Sequence, residues 1–192
     1  MIPFNHLGIV FKTFGSLVYP NAVRTSHCEF ILTLPTKANV LDIGAGTGML
    51  CEFGYKCRED VNYVAVDPSK GMMKYAHNYI QTHIATAEAL PFDDNSFDAA
   101  MMGESLHHFR DVDAALSECV RVIKNGGQLF IYDFDVSTFM GKSICRGEKL
   151  LGEPGNFFTP EALQSKLDTY GFTSNITMHG WRYTVDAVLK KD

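Results

Sequence analysis

The chain has 192 residues, of which 46% are hydrophobic, with a formal net charge of −5 and five cysteines. This length fits one globular domain, while the acidic balance gives no support to nucleic-acid binding and no apolar run reaches the roughly 18 residues of a membrane span. The cysteine count is odd and contains no C-x-x-C pair, which predicts reduced thiols and neither a disulfide framework nor a zinc site. The start of the chain lacks a basic leader, so we expect a cytoplasmic protein.

Short apolar runs bounded by Gly, Pro or Asp alternate with helical patterns along the chain. Such runs are typical of strands that are buried on both faces. The sequence predicts five of them, at Asn39–Ile43, Asn62–Val66, His83–Ala87, Phe97–Met102 and Gln128–Tyr132. Strands separated by helices indicate a parallel sheet with right-handed crossovers. Two last runs, Asn175–Met178 and Tyr183–Leu189, have only "HGWR" between them, which predicts an antiparallel hairpin at the sheet edge.

The clearest helical pattern lies at Val112–Ile123, where apolar residues fall on one stripe. Asp111 is placed to cap its first turn, and Asn125–Gly127 is predicted to end it. Two further helices are predicted at Ser69–Ile80 and Thr159–Gly171. The stretch 136–158 is irregular and rich in glycine, and we expect a mobile loop or a short helix near the ligand face.

The first strand runs into a glycine loop, "VLDIGAGTGML", that predicts a ligand site at the end of the sheet. Dinucleotide folds use G-x-G-x-x-G, whereas Gly44, Gly46 and Gly48 read G-x-G-x-G and Met49 stands where the last dinucleotide glycine would be. A phosphate here would lie near Asp42, and two like charges ~5 Å apart repel by roughly 3 kcal/mol at a dielectric of ~20. The loop therefore favours a cationic ligand, and S-adenosylmethionine, with a sulfonium, an ammonium and no phosphate, fits that requirement.

Asp67 ends the second predicted strand, 19 residues after Gly48. A carboxylate at this position can accept hydrogen bonds from ribose hydroxyls, which supports a nucleoside without separating the two cofactor types. Alternatively, Asp67 caps the helix that follows Pro68.

Four segments resemble the motifs of class I S-adenosylmethionine-dependent methyltransferases, in the group that includes ubiquinone/menaquinone-biosynthesis-type enzymes. They are "VLDIGAGTG", "VAVDPSKGMMKYA", "ATAEALPFDDNSFDAAMMGESLHHF" and "ALSECVRVIKNGGQLFIYDF". The resemblance runs from about Phe4 to Tyr132 and more loosely to the end. It implies a three-layer αβα Rossmann-like sheet, mostly parallel with the C-terminal antiparallel hairpin. We expect one domain over 1–192, comprising a cap (1–37), a cofactor-binding core (38–135), a loop (136–158) and a helix with hairpin (159–192).

The resemblance also implies the residues that hold S-adenosylmethionine. The backbone of Gly44, Ala45 and Gly46 would approach its methionine part, Asp67 would hold the ribose, and the carbonyl of Gly103 would meet the ammonium. The other residues expected at the cofactor are Asp42, Gly48, Pro68, Met72, Ala87 and Glu88.

Residues after the fourth and fifth strands are candidates for catalysis and acceptor binding. His107 and His108 could act as bases, or could simply pack. They lack a third metal ligand at helical spacing, so no metal site is predicted. Glu104 could hold a histidine or the ammonium of the cofactor. Asp133 and Asp135 follow the fifth strand and are expected either at the rim of the site or as caps of a turn.

The amino-terminal "FNHLGIVFK" resembles a family segment that covers the cofactor, but Phe11 replaces a tyrosine. Tyr19 could stand in for that missing hydroxyl. The sequence thus predicts methyl transfer to a small-molecule acceptor by in-line displacement, with S-adenosylhomocysteine as product. A non-catalytic S-adenosylmethionine-binding module and, less favoured, an NAD(P)-dependent oxidoreductase are the alternatives.

Overall fold

A computed structural model describes residues 12–13 and 18–191, and these residues contain one seven-stranded sheet. Its strands are β1 (Asn39–Ile43), β2 (Asn62–Val66), β3 (Gln81–His83), β4 (Phe97–Gly103), β5 (Ile123–Phe134), β6 (Phe172–His179) and β7 (Arg182–Leu189). The strand order is β3-β2-β1-β4-β5-β7-β6. The first five strands pair in parallel, while β7 runs antiparallel to both β5 and β6. The predicted mostly parallel sheet with a C-terminal antiparallel hairpin is confirmed.

Helices cover both faces of the sheet. They are α1 (Asn21–Thr33), α2 (Met49–Cys57), α3 (Lys70–Met73), α4 (Val112–Val122), α5 (Phe139–Leu150) and α6 (Pro160–Thr169), with a 3₁₀ turn at Leu106–His108. Alternate residues of the strands enter opposite apolar clusters, so that Leu41 packs on the side of α4 and α6 and Val40 on the side of α1 and α2. This alternation builds the three-layer αβα arrangement.

The helix at α4 begins as its sequence predicts, since the carboxylate of Asp111 accepts a hydrogen bond from Ala114 N at 3.0 Å. It ends at Val122, earlier than the expected stop at Asn125–Gly127. The reason is that β5 already begins at Ile123, which pairs with Phe97 of β4. Strand pairing therefore overrides the local glycine signal.

The predicted helix Ser69–Ile80 was wrong in its length, because only α3 is helical. Ser69 caps it by accepting from Met72 N at 3.2 Å. The following residues form turns instead, and Ile80 packs against the glycine loop, where its Cδ1 would lie 3.2 Å from a Cβ placed on Gly48. The third strand likewise lies earlier than His83–Ala87, because β3 is aligned by its pairing with β2.

The stretch 136–158 contains α5, twelve residues long, whose cap Thr138 accepts from Gly141 N at 3.0 Å. Of the two structures expected there, a loop or a short helix, the structure has the helix.

The expectation of five reduced thiols was wrong for Cys28 and Cys57, which form a disulfide between α1 and α2 with a Cα–Cα separation of 5.8 Å. The two residues are 29 positions apart, and only the packing of the two helices brings them together. Cys51, Cys119 and Cys145 are free and buried. Within the described part of the chain, no helix has both the length and the apolar character needed to cross a membrane.

Candidate active site

A cavity of about 620 Å³ lies where the chain leaves the carboxyl ends of β1, β2 and β4. Its walls include Gly44 to Thr47 after β1, Asp67 to Ser69 after β2, and Gly103 to Ser105 after β4. β1 lies between β2 and β4 in the sheet, so the chain runs from β1 outward to β2 and β3 on one side and then crosses to β4 on the other. Open α/β sheets bind their ligands at this kind of topological switch point.

The glycine loop forms one wall of the cavity and depends on left-handed backbone. Gly44 and Gly46 have φ values of +73° and +56°. The N–H groups of Gly44 and Ala45 both donate to the carbonyl of Val66, at 2.9 and 3.1 Å. A Cβ on Gly44 would lie 2.6 Å from the Cβ of Ser105. Gly48, at φ +77°, begins α2 and is not among the residues that line the cavity.

Asp67 holds the glycine loop and the next turn together. Its Oδ2 accepts from Gly46 N at 2.9 Å, and its Oδ1 accepts from Ser69 N at 2.7 Å. Burial raises the pKa of Asp67, and the two backbone hydrogen bonds act in the opposite direction. Asp67 lines the cavity, while the side chain that caps α3 belongs to Ser69.

Asp42 lies behind the loop and does not line the cavity. It is 2% exposed, its Oδ2 accepts from Cys51 Sγ at 3.4 Å, and burial raises its pKa to about 7. The negative charge predicted at the loop's mouth therefore comes from other side chains. Among the described residues, the cavity wall carries one guanidinium, that of Arg110, and the carboxyl groups of Asp67, Glu88, Glu104, Glu148 and Glu153.

The residues expected beside the adenine lie together on this wall: Pro68, Met72, Ala87 and Glu88. Met72 is buried. Glu88 Oε1 accepts from the backbone N–H groups of Arg110 and Asp111, at 2.9 and 3.3 Å, and so ties this edge of the cavity to the start of α4.

The end of β4 brings Gly103, Glu104 and Tyr19 together. The Tyr19 hydroxyl donates to the carbonyl of Gly103 at 3.0 Å. Glu104 has a φ of +50°, and burial raises its pKa to about 8. Its Oε1 is buried without a hydrogen-bond partner among the described residues. Phe11 lies outside the described residues.

His107 lies deep in the opposite wall, with its side chain 1% exposed. Its Nδ1 is 2.8 Å from Asp133 Oδ1. Because an ionised carboxylate only accepts, His107 Nδ1 is the donor. Burial alone would lower the pKa of His107, but the charge and hydrogen bond of Asp133, with Glu148 and Glu104, raise it. Asp133 is buried behind the histidine and does not line the cavity.

His108 faces two carboxylates that the sequence prediction missed. Its Nδ1 lies 4.0 Å from Glu148 Oε2 and 3.5 Å from Glu153 Oε2. Burial lowers the pKa of His108 to about 3. Glu148 belongs to α5 and Glu153 follows it, so the only sequence signal was their place in the stretch expected near the ligand. Asp135 does not line the cavity, and its carboxylate accepts from Ser137 at the turn before α5.

Comparison with known proteins finds similar methyltransferases. Residues 41–131 match a family model described as a methyltransferase domain. A ubiquinone/menaquinone biosynthesis C-methyltransferase of Hahella chejuensis is 36% identical over 111 residues, which are 53% of this chain and 45% of that protein. A demethylmenaquinone methyltransferase of Renibacterium salmoninarum is 41% identical over 103 residues, 52% of this chain and 43% of that protein. The chain thus matches less than half the length of these two relatives.

Solved structures share the fold over nearly the whole chain. An S-adenosylmethionine-dependent methyltransferase of Thermotoga maritima has a TM-score of 0.76 at 22% identity, covering 97% of this chain and 98% of that one. The YcgJ protein of Bacillus subtilis has a TM-score of 0.70 at 19% identity, covering 88% and 99%.

The cavity fits S-adenosylmethionine. Its carboxylates outnumber its cationic groups, which favours a ligand with a sulfonium and an ammonium over one with a pyrophosphate. The buried Glu104 oxygen without a partner is an acceptor that an ammonium can satisfy. Residues 41–131 thus resemble a methyltransferase domain, and the fold is shared with solved S-adenosylmethionine-dependent methyltransferases.

Proposed function

We propose that the protein transfers a methyl group from S-adenosylmethionine to a small-molecule acceptor by in-line displacement, with S-adenosylhomocysteine as the product. The observation that supports this most is that one continuous cavity joins the glycine loop and Asp67 to the wall formed by His107, His108 and Glu148. Its volume of about 620 Å³ lies within the range of small-molecule sites. Donor and acceptor can therefore meet in one enclosure.

The cofactor end of the cavity is built from residues that bind and orient. Asp67 offers its remaining lone pairs to the ribose hydroxyls, Glu104 offers an oxygen to the ammonium, and Met72 supplies apolar surface for the adenine. S-adenosylmethionine, when bound, supplies a methyl group on a sulfonium with a neutral thioether as leaving group. The remaining task for the chain is to align the acceptor and to exclude water.

Alignment alone can contribute roughly 7–11 kcal/mol to such a displacement. The proposal therefore does not require a base. His107 and His108 stay the candidate bases for an acceptor that must lose a proton, because both line the acceptor side of the cavity.

The matched relatives include enzymes named for ubiquinone, menaquinone and demethylmenaquinone chemistry. A hydroquinone that is methylated on carbon is therefore the first acceptor class to test. Phe109 and Phe134, which line the cavity, offer aromatic surface to such a ring.

The test has two steps. Calorimetry with S-adenosylhomocysteine and with NADH comes first, and we expect heat only with the former. Binding of NADH in its place would contradict the proposal and favour an oxidoreductase. Transfer of an isotopically labelled methyl group to hydroquinones, phenols and amines follows. Tight binding of the cofactor product without transfer to any acceptor would indicate a non-catalytic binding module.

A further inference from the structure

Three side chains from separate parts of the chain converge at the acceptor end of the cavity. His107 and His108 lie in the turn after β4, and Glu148 lies in α5. One potential ligand atom from each of the three side chains lies within 4.8 Å of the other two. The Glu148 oxygen is 3.6 Å from the His107 nitrogen and 4.0 Å from the His108 nitrogen.

These separations are close to those of ligands that share one metal ion. Bonds of about 2.1 Å from nitrogen and oxygen to a tetrahedral ion place the ligand atoms about 3.4 Å apart. The two contacts to Glu148 exceed that value by about 0.2 and 0.6 Å, and the third pair lies within 4.8 Å, so side-chain rotations would have to close the set around an ion.

The surroundings of His107 are those of a metal ligand. Its Nδ1 donates to Asp133 at 2.8 Å, which leaves Nε2, 3.6 Å from Glu148 Oε2, as the nitrogen that would bind a metal after losing its proton. A carboxylate behind a histidine is the usual second partner that orients a metal-binding imidazole. The ring of Phe157 stacks on His107 with a centroid distance of 4.2 Å and holds the imidazole plane.

A buried oxygen of Glu148 independently supports a bound cation at this position. Its Oε2 is buried and has no hydrogen-bond donor among the described residues. Such an oxygen is costly to bury unless a cation or a donor satisfies it. Glu153, with a side chain only 6% exposed, adds a second carboxylate 3.5 Å from His108 Nδ1.

We propose that His107, His108 and Glu148 bind one divalent transition-metal ion, with Glu153 available as a fourth ligand. Two histidines and a carboxylate suit zinc or iron(II), whereas magnesium and calcium prefer all-oxygen sites. The ligand residues line the cavity, so an open coordination position would face the acceptor. The inference does not depend on methyl transfer, and it replaces the role of the two histidines as candidate bases, because a metal would occupy their lone pairs.

The experiment uses the full chain, freed of metal with a chelator and titrated with zinc sulfate in a calorimeter. We expect one ion per chain and at least roughly tenfold weaker binding in Glu148→Gln, since that change removes a ligand charge. Glu59→Gln, an exposed glutamate elsewhere, is the matched control and should bind as wild type does. His108→Asn should weaken binding similarly, whereas His77→Asn, which breaks a His–Glu pair outside the cavity, should not.

Circular dichroism of each metal-free variant shows whether it is folded. Zinc binding at less than one ion per chain, or equal affinity in Glu148→Gln and Glu59→Gln, would overturn the inference. Binding of S-adenosylhomocysteine, measured on the same metal-free protein, tests the proposed function separately, so either proposal can fail alone.

Discussion

Replacing Asp67 with asparagine tests the cofactor end of the cavity most directly. The carboxylate accepts from Gly46 N at 2.9 Å and from Ser69 N at 2.7 Å, and it lines the cavity. Asparagine keeps one acceptor oxygen and turns an NH₂ group toward one of these N–H donors. A hydrogen bond to a charged group contributes about 1.5–3 kcal/mol, so we expect the dissociation constant of S-adenosylhomocysteine to rise roughly 10- to 150-fold.

Isothermal titration with S-adenosylhomocysteine measures this change, and circular dichroism establishes that the variant is folded. Asp60→Asn is the matched control, because Asp60 also accepts a backbone N–H group, that of Lys37, but lies at the surface. We expect its affinity to stay within about twofold of wild type. A folded Asp67→Asn protein that also binds within about twofold would refute the role given to the carboxylate.

Three further predictions concern stability. In Gly44→Ala the new Cβ would lie 2.6 Å from Ser105 Cβ, and the alanine backbone would also be strained in its left-handed conformation. In Gly126→Ala, at φ +77°, the new Cβ meets nothing within 4 Å, so only the backbone strain remains. Urea unfolding should therefore show a loss of roughly 2–5 kcal/mol for the former and about 1–2 for the latter, and equal losses would contradict the steric argument. Cys57→Ser should cost about 3.5 kcal/mol for a loop of 29 residues. Reductant should lower the Tm of the wild type and leave that of the variant unchanged, and a reductant-insensitive wild type would contradict the pairing. Burial lowers the pKa of His27 to about 3. The unfolded chain takes up this proton first, so stability is full above pH ~6.5 and falls by about 1.4 kcal/mol per unit below it. His27→Leu should reduce this slope in urea titrations, and an unchanged slope would refute the assignment.

The parallel core of the sheet was predictable because its strands are short, apolar and bounded by turn residues. β1 and β2 begin and end at the predicted residues, since a strand that is buried on both faces shows its limits in composition alone. β3 was misplaced because its two exposed residues carry no apolar signal and its position depends on pairing with β2.

The turns that form one wall of the cavity were predictable for a similar reason. They directly follow β1, β2 and β4, so the limits of the strands also locate these lining residues. Asp42 and Gly48 were the exceptions, since neither lines the cavity. Gly48 caps the start of α2. Asp42 lies inside a strand, where a side chain can point away from the cavity, and period-2 alternation alone does not say which face holds the ligand.

The acceptor side could not be predicted. Glu148 and Glu153 carry no motif, and only the tertiary placement of α5 and of the residues after it brings them to His108. Asp133 was predicted at the rim, yet the structure places it behind His107. Long-range contacts of this kind depend on tertiary packing, which local sequence patterns do not encode.

The two halves of the cavity differ in how the chain supplies them. The donor half is assembled from turns spread across much of the sequence, whereas Ile144, Glu148 and the stretch 152–154 reach the other half from one short insertion between β5 and α6. Exchanging that insertion would leave every turn at the sheet's edge in place. A chain built this way can keep the same methyl donor while the acceptor changes. Grafting this segment from another protein of the fold is therefore the direct way to change the acceptor.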